Sequence, residues 1–271
     1  MPKLPLTVGH FPSVPWIPNY TGTETWPVSL LQCESSDVRR LAVRAQVDVT
    51  PMAAADWFEL GDSWRRLGNW GISFREKADS VCLFSPRPIE ELHLAEIAIC
   101  KQTTSSVRIL QALLKGKYGL GIGPWRRNVD VQDAFTPRLL IQNEAVEERN
   151  RKRFPFVYDL GREWHDWQHT PVVTAIWVYR AGTNPADVEV VQQLLADSMT
   201  RYRADPAAAI AAHRATYKWS PSVDEIVALH RNFEYDLKDE AFSRGLERMR
   251  ALLPKQVEGF EVARHMDLAS V

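Results

Sequence analysis

The chain has 271 residues, 45% of them hydrophobic and 25% charged, with a formal net charge of −1. That length holds one large domain or two lobes around a full-sized core, and the proportions are those of an ordinary globular protein. The balanced charge gives no electrostatic case for binding nucleic acid or an anionic membrane, and no apolar run reaches the roughly 20 residues of a membrane span.

The opening stretch, Met1 to Pro15, has one lysine but neither a long apolar core nor a small-residue cleavage site, so no signal peptide is expected. Leu6 to His10 reads as a short strand, and Trp26 to Cys33 alternates like a second. Asp37 to Ala45 is an amphipathic helix with Val38, Leu41 and Ala42 facing inward. Val47 to Thr50 is a third strand, and Pro51 to Ala53 turns into another helix. Strands alternating with helices imply a mostly parallel sheet. His10 closes the first strand, and strand carboxyl ends in such sheets face the ligand crevice. It is therefore a candidate to bind an anion or to act as a base near neutral pH; the plainer alternative is a turn histidine bonded to local backbone.

Ser80 to Phe84 is a buried strand that runs into the Pro-bracketed turn Ser85-Pro86-Arg87-Pro88. A second apolar run, Ile97 to Cys100, leads to the consecutive hydroxyl residues Thr103, Thr104, Ser105 and Ser106. These open a helix that carries Val107, Leu110, Leu113 and Leu114 on one face. A hydroxyl-rich loop at a helix start gathers free backbone N–H groups, side-chain donors and the positive end of the helix dipole, so a carboxylate or phosphate is its natural guest. The competing role is helix capping, but one cap needs only one hydroxyl.

Arg138 to Ile141 is β-type, Asn143 to Glu148 helical, and Asp159 to Gly161 leads into a short helix over Arg162 to Trp167. Pro171 to Tyr179, β-branched and apolar, is a buried strand. From Asn184 onward the pattern is helical. Val188, Val191, Leu194 and Leu195 keep helical spacing, and Ser222 with Glu225 forms a capping box. Phe242, Leu246 and Met249 mark the closing helix, and the pattern weakens after Pro254. Gly119, Gly121 and Gly123 lie between a helix and a polar loop, not between a strand and a helix, so they make no nucleotide loop. Asp159, His165 and Asp166 match no metal-ligand spacing. The three cysteines, Cys33, Cys82 and Cys100, form no paired motif and suit a reducing cytoplasm. Of the ten tryptophans, Trp16 is placed to close over an unsaturated ring.

Several segments together carry a resemblance: Ala45 to Trp57, Gly71 to Leu92, Thr103 to Leu114, Asp133 to Ala145 and Tyr158 to Arg180, with the helical end around Asn232 to Leu253. In this order they resemble the chorismate dehydratases of the futalosine route to menaquinone, proteins built on the type 2 periplasmic-binding-protein fold. The resemblance implies an α/β, two-lobed protein with a helical C-terminal region and a ligand cleft between the lobes. One lobe would comprise residues 1–85 plus 173–271 and the other residues 86–172, with Ser80–Phe84 and Pro171–Tyr179 crossing between them. It also implies a lyase that removes water from chorismate to give 3-[(1-carboxyvinyl)oxy]benzoate, without metal or organic cofactor. Its partner would be a small carboxylate-bearing substrate, not nucleic acid or a membrane. Ser80, Thr104, Ser105, Ser106 and Asn143 are then the expected substrate-binding residues. Three places depart from the family pattern. Pro12 stands where an Asn that reaches the ligand is expected, which moves that role to His10 or Ser13 as the expected catalytic residues. Gln168-His169-Thr170 replaces a Thr-Gly before Pro171, and Gln142-Asn143 replaces a Gly-Asp. A diverged relative, either an enzyme or a non-catalytic binder of another small carboxylate-bearing ring compound, fits the same pattern.

Overall fold

The computed structural model describes residues 5–100, 103–127, 133–217 and 219–258. Four strands open the chain: β1 (Thr7–His10), β2 (Ser29–Gln32), β3 (Val49–Ala53) and β4 (Trp64–Phe74). Five more follow: β5 (Val81–Ser85), β6 (Ile97–Ile99), β7 (Trp125–Arg126), β8 (Arg138–Ile141) and β9 (Phe156–Asp159). β10 (Val172–Arg180) and β11 (Glu234–Asp236) then return to the first group. The first sheet has the order β11-β4-β10-β3-β1-β2, and the second β7-β6-β8-β5-β9. The two repeat one plan. In each, three parallel strands meet a fourth that arrives from the other sheet and pairs antiparallel: β10 against β3, and β5 against β8.

The helices are α1 (Val38–Val43), α2 (Ala54–Leu60), α3 (Ser105–Ala112), α4 (Gln142–Arg151) and α5 (Leu160–Gln168). A run of four more, α6 (Pro185–Ala204), α7 (Pro206–Tyr217), α8 (Val223–His230) and α9 (Glu240–Leu252), forms the helical end expected from the sequence. A continuous apolar core threads both sheets, with Tyr20, Phe74, Trp164 and Trp177 among its largest fully buried side chains. Burying a side chain of that class is worth about 1.5–3 kcal/mol or more, so these anchors dominate the packing.

Two expectations change. The strand at Ser80–Phe84 does not cross between sheets; β5 lies wholly in the second, paired with β8 and β9. The chain changes sheet between Phe74 and Val81, and again between α5 and β10. In addition, β4 was not legible as a strand. Gly68 sits at φ +53 inside it, and a Cβ on Gly71 would stand 2.6 Å from the Ala175 carbonyl oxygen. Register shifts against β10 accompany them, as expected of a bulged strand whose alternation is broken.

One carboxylate ties the first change of sheet to the start of α5. Asp159 accepts from the N–H groups of Ala78 at 2.9 Å and Asp79 at 2.6 Å, and from those of Gly161 at 2.9 Å and Arg162 at 3.1 Å at the start of α5. Beyond α9 the chain crosses once more. The Glu258 N–H donates to Gln111 Oε1 at 3.1 Å, Lys115 pairs with the Glu258 carboxylate at 2.7 Å, and the Trp125 indole donates to the Glu258 carbonyl.

Candidate functional site

Between the sheets lies a void of about 620 Å³, its solvent-filled mouth included, lined by residues of both sheets. β3, β4 and β10 give it Ala53, Ile72, Phe74, Thr174 and Ala175, and the segment after β1 gives Phe11, Pro15 and Trp16. The opposite wall comes from the second sheet: Ser80, Val81, Thr104 to Ser106, Ile141 and Gln142. Four aromatic rings form its apolar lining. Phe11 meets Trp16 edge-on at 5.8 Å, and Phe74 lies 6.4 Å from Phe233. Phe233 is brought in by the loop after α8.

The polar end is set by how two helices begin. α5 to α9 each start under a side-chain cap: Asp159, Asn184, Asp205, Ser222 and Asp239 accept from the first-turn N–H groups. α3 and α4 start at the cavity without one. Thr104 holds the cap position of α3 but makes no capping bond, and the Thr103 hydroxyl is buried with no partner. α4 follows Ile141, which has no polar group to cap with. Uncapped first-turn N–H groups and the dipole behind them favour an anion. Capping of α3 thus does not account for the hydroxyl run, although α1 likewise starts without a side-chain cap.

Ser105 has a divided role. Its Oγ accepts from the Ala55 N–H at 3.2 Å, which caps α2 from across the cleft. A hydroxyl that accepts there keeps its own O–H to donate elsewhere. Ser80 is buried, donates weakly to the Ala78 carbonyl at 3.4 Å, and receives the Gln142 N–H on its own carbonyl at 2.7 Å.

Four of the sequence-predicted residues, Ser80, Thr104, Ser105 and Ser106, therefore come together in one cavity. Three do not. Ser13 lines an adjoining outer void, with a buried hydroxyl that has no partner. Asn143 lies one residue beyond the wall; its neighbour Gln142 takes the place, because Gln142 adopts φ +55 as β8 turns into α4. A left-handed residue redirects the side chains that follow it, and no spacing rule signals one at a glutamine. His10 is the largest correction. Side chains alternate along a strand, so the backbone that leaves β1 at Phe11 reaches the cleft while the His10 ring turns to the other side. There it packs edge-on against Tyr20 at 4.4 Å, in a separate void with Tyr217 and His213. Burial, then the charge of His213, depresses its pKa to about 4, so it is neutral at pH 7. Phe74, Gln142 and Phe233 went unmarked in the sequence. The alternation of Ile72 with Phe74 was the available signal for the first; Phe233 arrives by tertiary packing alone.

The inner cavity has no Asp, Glu, His, Lys or Arg among its described lining residues; Glu34 and Asp37 line the outer void with Cys33. The cavity is thus apolar along its walls and rich in hydrogen-bond donors at one end.

Comparison with known proteins agrees with this architecture. A protein of Archaeoglobus fulgidus superposes with a TM-score of 0.72 at 15% identity, covering 91% of this chain and 96% of that one. The periplasmic aliphatic sulphonate binding protein of Escherichia coli gives 0.65 at 13% identity, covering 91% and 85%. The alkanesulfonate-binding protein of Xanthomonas axonopodis pv. citri, bound to MOPS, gives 0.64 at 12% identity, covering 93% and 95%. The fold is that of the periplasmic binding proteins. In sequence, the chain is 26% identical over 182 residues to a chorismate dehydratase of Thermus thermophilus, a match spanning 61% of this chain and 66% of that relative. A family profile described as menaquinone biosynthesis matches residues 6–255, and the chain belongs to that family.

Proposed function

We propose that the chain is a chorismate-dehydratase-like lyase that eliminates water from chorismate to give 3-[(1-carboxyvinyl)oxy]benzoate. The observation that carries the reading is the pair of uncapped helix starts, with their free hydroxyls, at one end of an aromatic-walled void between the sheets. Each sheet with its helices acts as one lobe, and the β4–β5 and α5–β10 connections act as hinges. A ring carboxylate sits on the α3 terminus, held by Ser105 and Ser106, and the ring lies against Trp16 and Phe11. Loss of the ring hydroxyl and a neighbouring proton makes the ring aromatic, so the reaction is downhill and the protein's work is to orient and desolvate the substrate. His10 is not the base in this scheme. Of the carboxylates that line the adjoining outer void, Asp37 is paired with Arg40 at 2.9 Å, so we assign proton acceptance to Glu34.

Binding without turnover is the second reading, favoured by one observation: the inner cavity has no titratable side chain among its described lining residues. Incubation of the purified protein with chorismate, followed by chromatographic product analysis and a parallel calorimetric titration, separates the two. Formation of the benzoate product supports the lyase, binding without product supports the second reading, and neither binding nor product rejects both. The thiols Cys33 and Cys82 are free, which supports a cytoplasmic setting. Among the described residues no helix is long and apolar enough to cross a membrane.

A further inference from the structure

A second void, of about 900 Å³ with its mouth included, lies behind the segment that leaves β1. It shares no lining residue with the cleft. His10 projects into it, only 9% exposed, and its ring makes no hydrogen bond to any described residue. A buried imidazole in that state offers one N–H and one lone pair to a guest. Beside it stands a pre-built aromatic face. Tyr217 stacks on Trp219 at 5.4 Å and 21°, and on His213 at 6.4 Å and 30°, so its ring is held flat before any ligand arrives. Two opposite charges complete the lining, Arg201 and Glu24. Among the described residues neither has an ion-pair partner. The Arg201 guanidinium makes only long contacts, 3.5 Å each, to the Gly22 carbonyl and the Thr25 hydroxyl.

Exposed, unpaired opposite charges around one void, over an aromatic wall with an imidazole that makes no hydrogen bond to a described residue, fit one class of guest. We propose that this void binds an α-amino acid with an aromatic side chain. Its carboxylate meets Arg201, its ammonium meets Glu24, and its ring lies along Tyr217 with any polar ring substituent on His10. A carboxylate alone would leave Glu24 opposing it, and an amine alone would leave Arg201 opposing it. A purely apolar ring would leave His10 without a partner.

Calorimetric titration of the full chain with L-tyrosine and L-tryptophan tests the proposal. Tyramine lacks the carboxylate, 3-(4-hydroxyphenyl)propanoate lacks the ammonium, and L-alanine lacks the ring. The expected result is saturable one-to-one binding of an aromatic amino acid, with each truncated analogue weaker by about tenfold or more. Arg201→Gln and Glu24→Gln should each weaken it by a similar factor, with melting temperature unchanged. The cleft variant Ser105→Ala/Ser106→Ala should leave it untouched, which keeps this site's fate separate from that of the cleft. Absence of saturable binding by the folded parent overturns the proposal. So does binding that ignores both charge variants, or that disappears in the cleft variant.

Discussion

β1 and β6 hold equivalent places in the two sheets, yet the turns that leave them are chemical opposites. After β6 the chain offers Thr103 to Ser106 and the uncapped start of α3, a concentration of donors. After β1 it passes through Phe11-Pro12-Ser13 into a 3₁₀ segment, Val14–Tyr20, that contains Pro15 and Pro18. Proline has no N–H to offer, so Pro12, Pro15 and Pro18 strip donors from that turn, and Phe11 and Trp16 supply ring surface instead. One repeated plan takes two forms, a donor-rich turn on one side and an apolar wall on the other. The replacement of an expected Asn by Pro12 belongs to this contrast, and it leaves the cleft polar at one end only.

The largest expected effect removes donors from the first of these turns. Ser105→Ala with Ser106→Ala should weaken binding of the cleft carboxylate by about 10²-fold or more, at roughly 1.5–3 kcal/mol per bond to a charged group. Global stability, read from chemical denaturation, should fall by less, chiefly through loss of the bond from Ala55. Unchanged affinity would erase the contrast between the two turns.

Acid should break the comparison from the other side. The 3₁₀ segment rests on His230, whose Nε2–H donates to the Val14 carbonyl at 2.8 Å while Nδ1 accepts from the Tyr202 hydroxyl at 2.6 Å. A carbonyl can only accept, so that pair of bonds fixes the neutral tautomer. Burial depresses the His230 pKa from 6.5 to about 4. The unfolded chain therefore takes up the proton first, so the stability from neutral His230 is complete above pH 6.5 and drains away as pH falls towards 4. The full loss is on the order of 3 kcal/mol, and His10 adds to it with the same sign. Hydrogen exchange at pH 5 should loosen Val14–Tyr20 before α3. Uniform loosening would contradict this.

A smaller effect comes from supplying the missing cap. Thr104→Asp places a carboxylate on the α3 terminus. It should raise the denaturation midpoint, by about 0.5–2 kcal/mol of stability, while it lowers affinity for an anionic ligand. A variant that gains stability and keeps its affinity would return Thr103–Ser106 to a purely structural role.

The smallest expected effect is that of His10→Asn on turnover. It should change the rate by less than about threefold, against the roughly 10²–10⁴-fold loss when a general base is removed. The pH–rate profile should likewise lack an inflection near 6.5. A large loss would return His10 to the chemistry.

What the sequence made legible follows local physics. The capping box at Ser222 and Glu225, the β-branched run of β10 and the hydroxyl run before α3 each announce themselves within a few residues, and the structure places them as read. What stayed hidden depends on backbone angles or distant partners. β4 is disguised by Gly68 and Gly71, whose use is apparent only against Gln192 and Ala175. Asn143 and Gln142 exchange roles because of one left-handed φ. His10 and Phe11 exchange faces because the chain leaves the sheet between them. The resemblance to a family gave the frame in which those residues were sought, and could not resolve a displacement of one residue.

The last described residues bear on how this molecule can move. Two bodies joined at two points keep one free rotation, about the line through them. Joined at three points that do not share a line, they keep none. Asp159 secures the β4–β5 connection with two bonds to backbone, at Ala78 and Asp79, and caps α5 with two more. Glu258 adds one more attachment to the bonds that already cross, such as Ala55 to Ser105 and Arg108 to Glu59, through an exposed lysine pair, a single amide bond to Gln111 and one indole bond. Exposed ion pairs are worth about 0–1 kcal/mol, so the lysine pair adds little to that attachment. Release of Glu258 would free the chain beyond α9 from the far end of α3, at Gln111, and from Trp125, while the bonds of Asp159 and Ser105 still hold the two halves together.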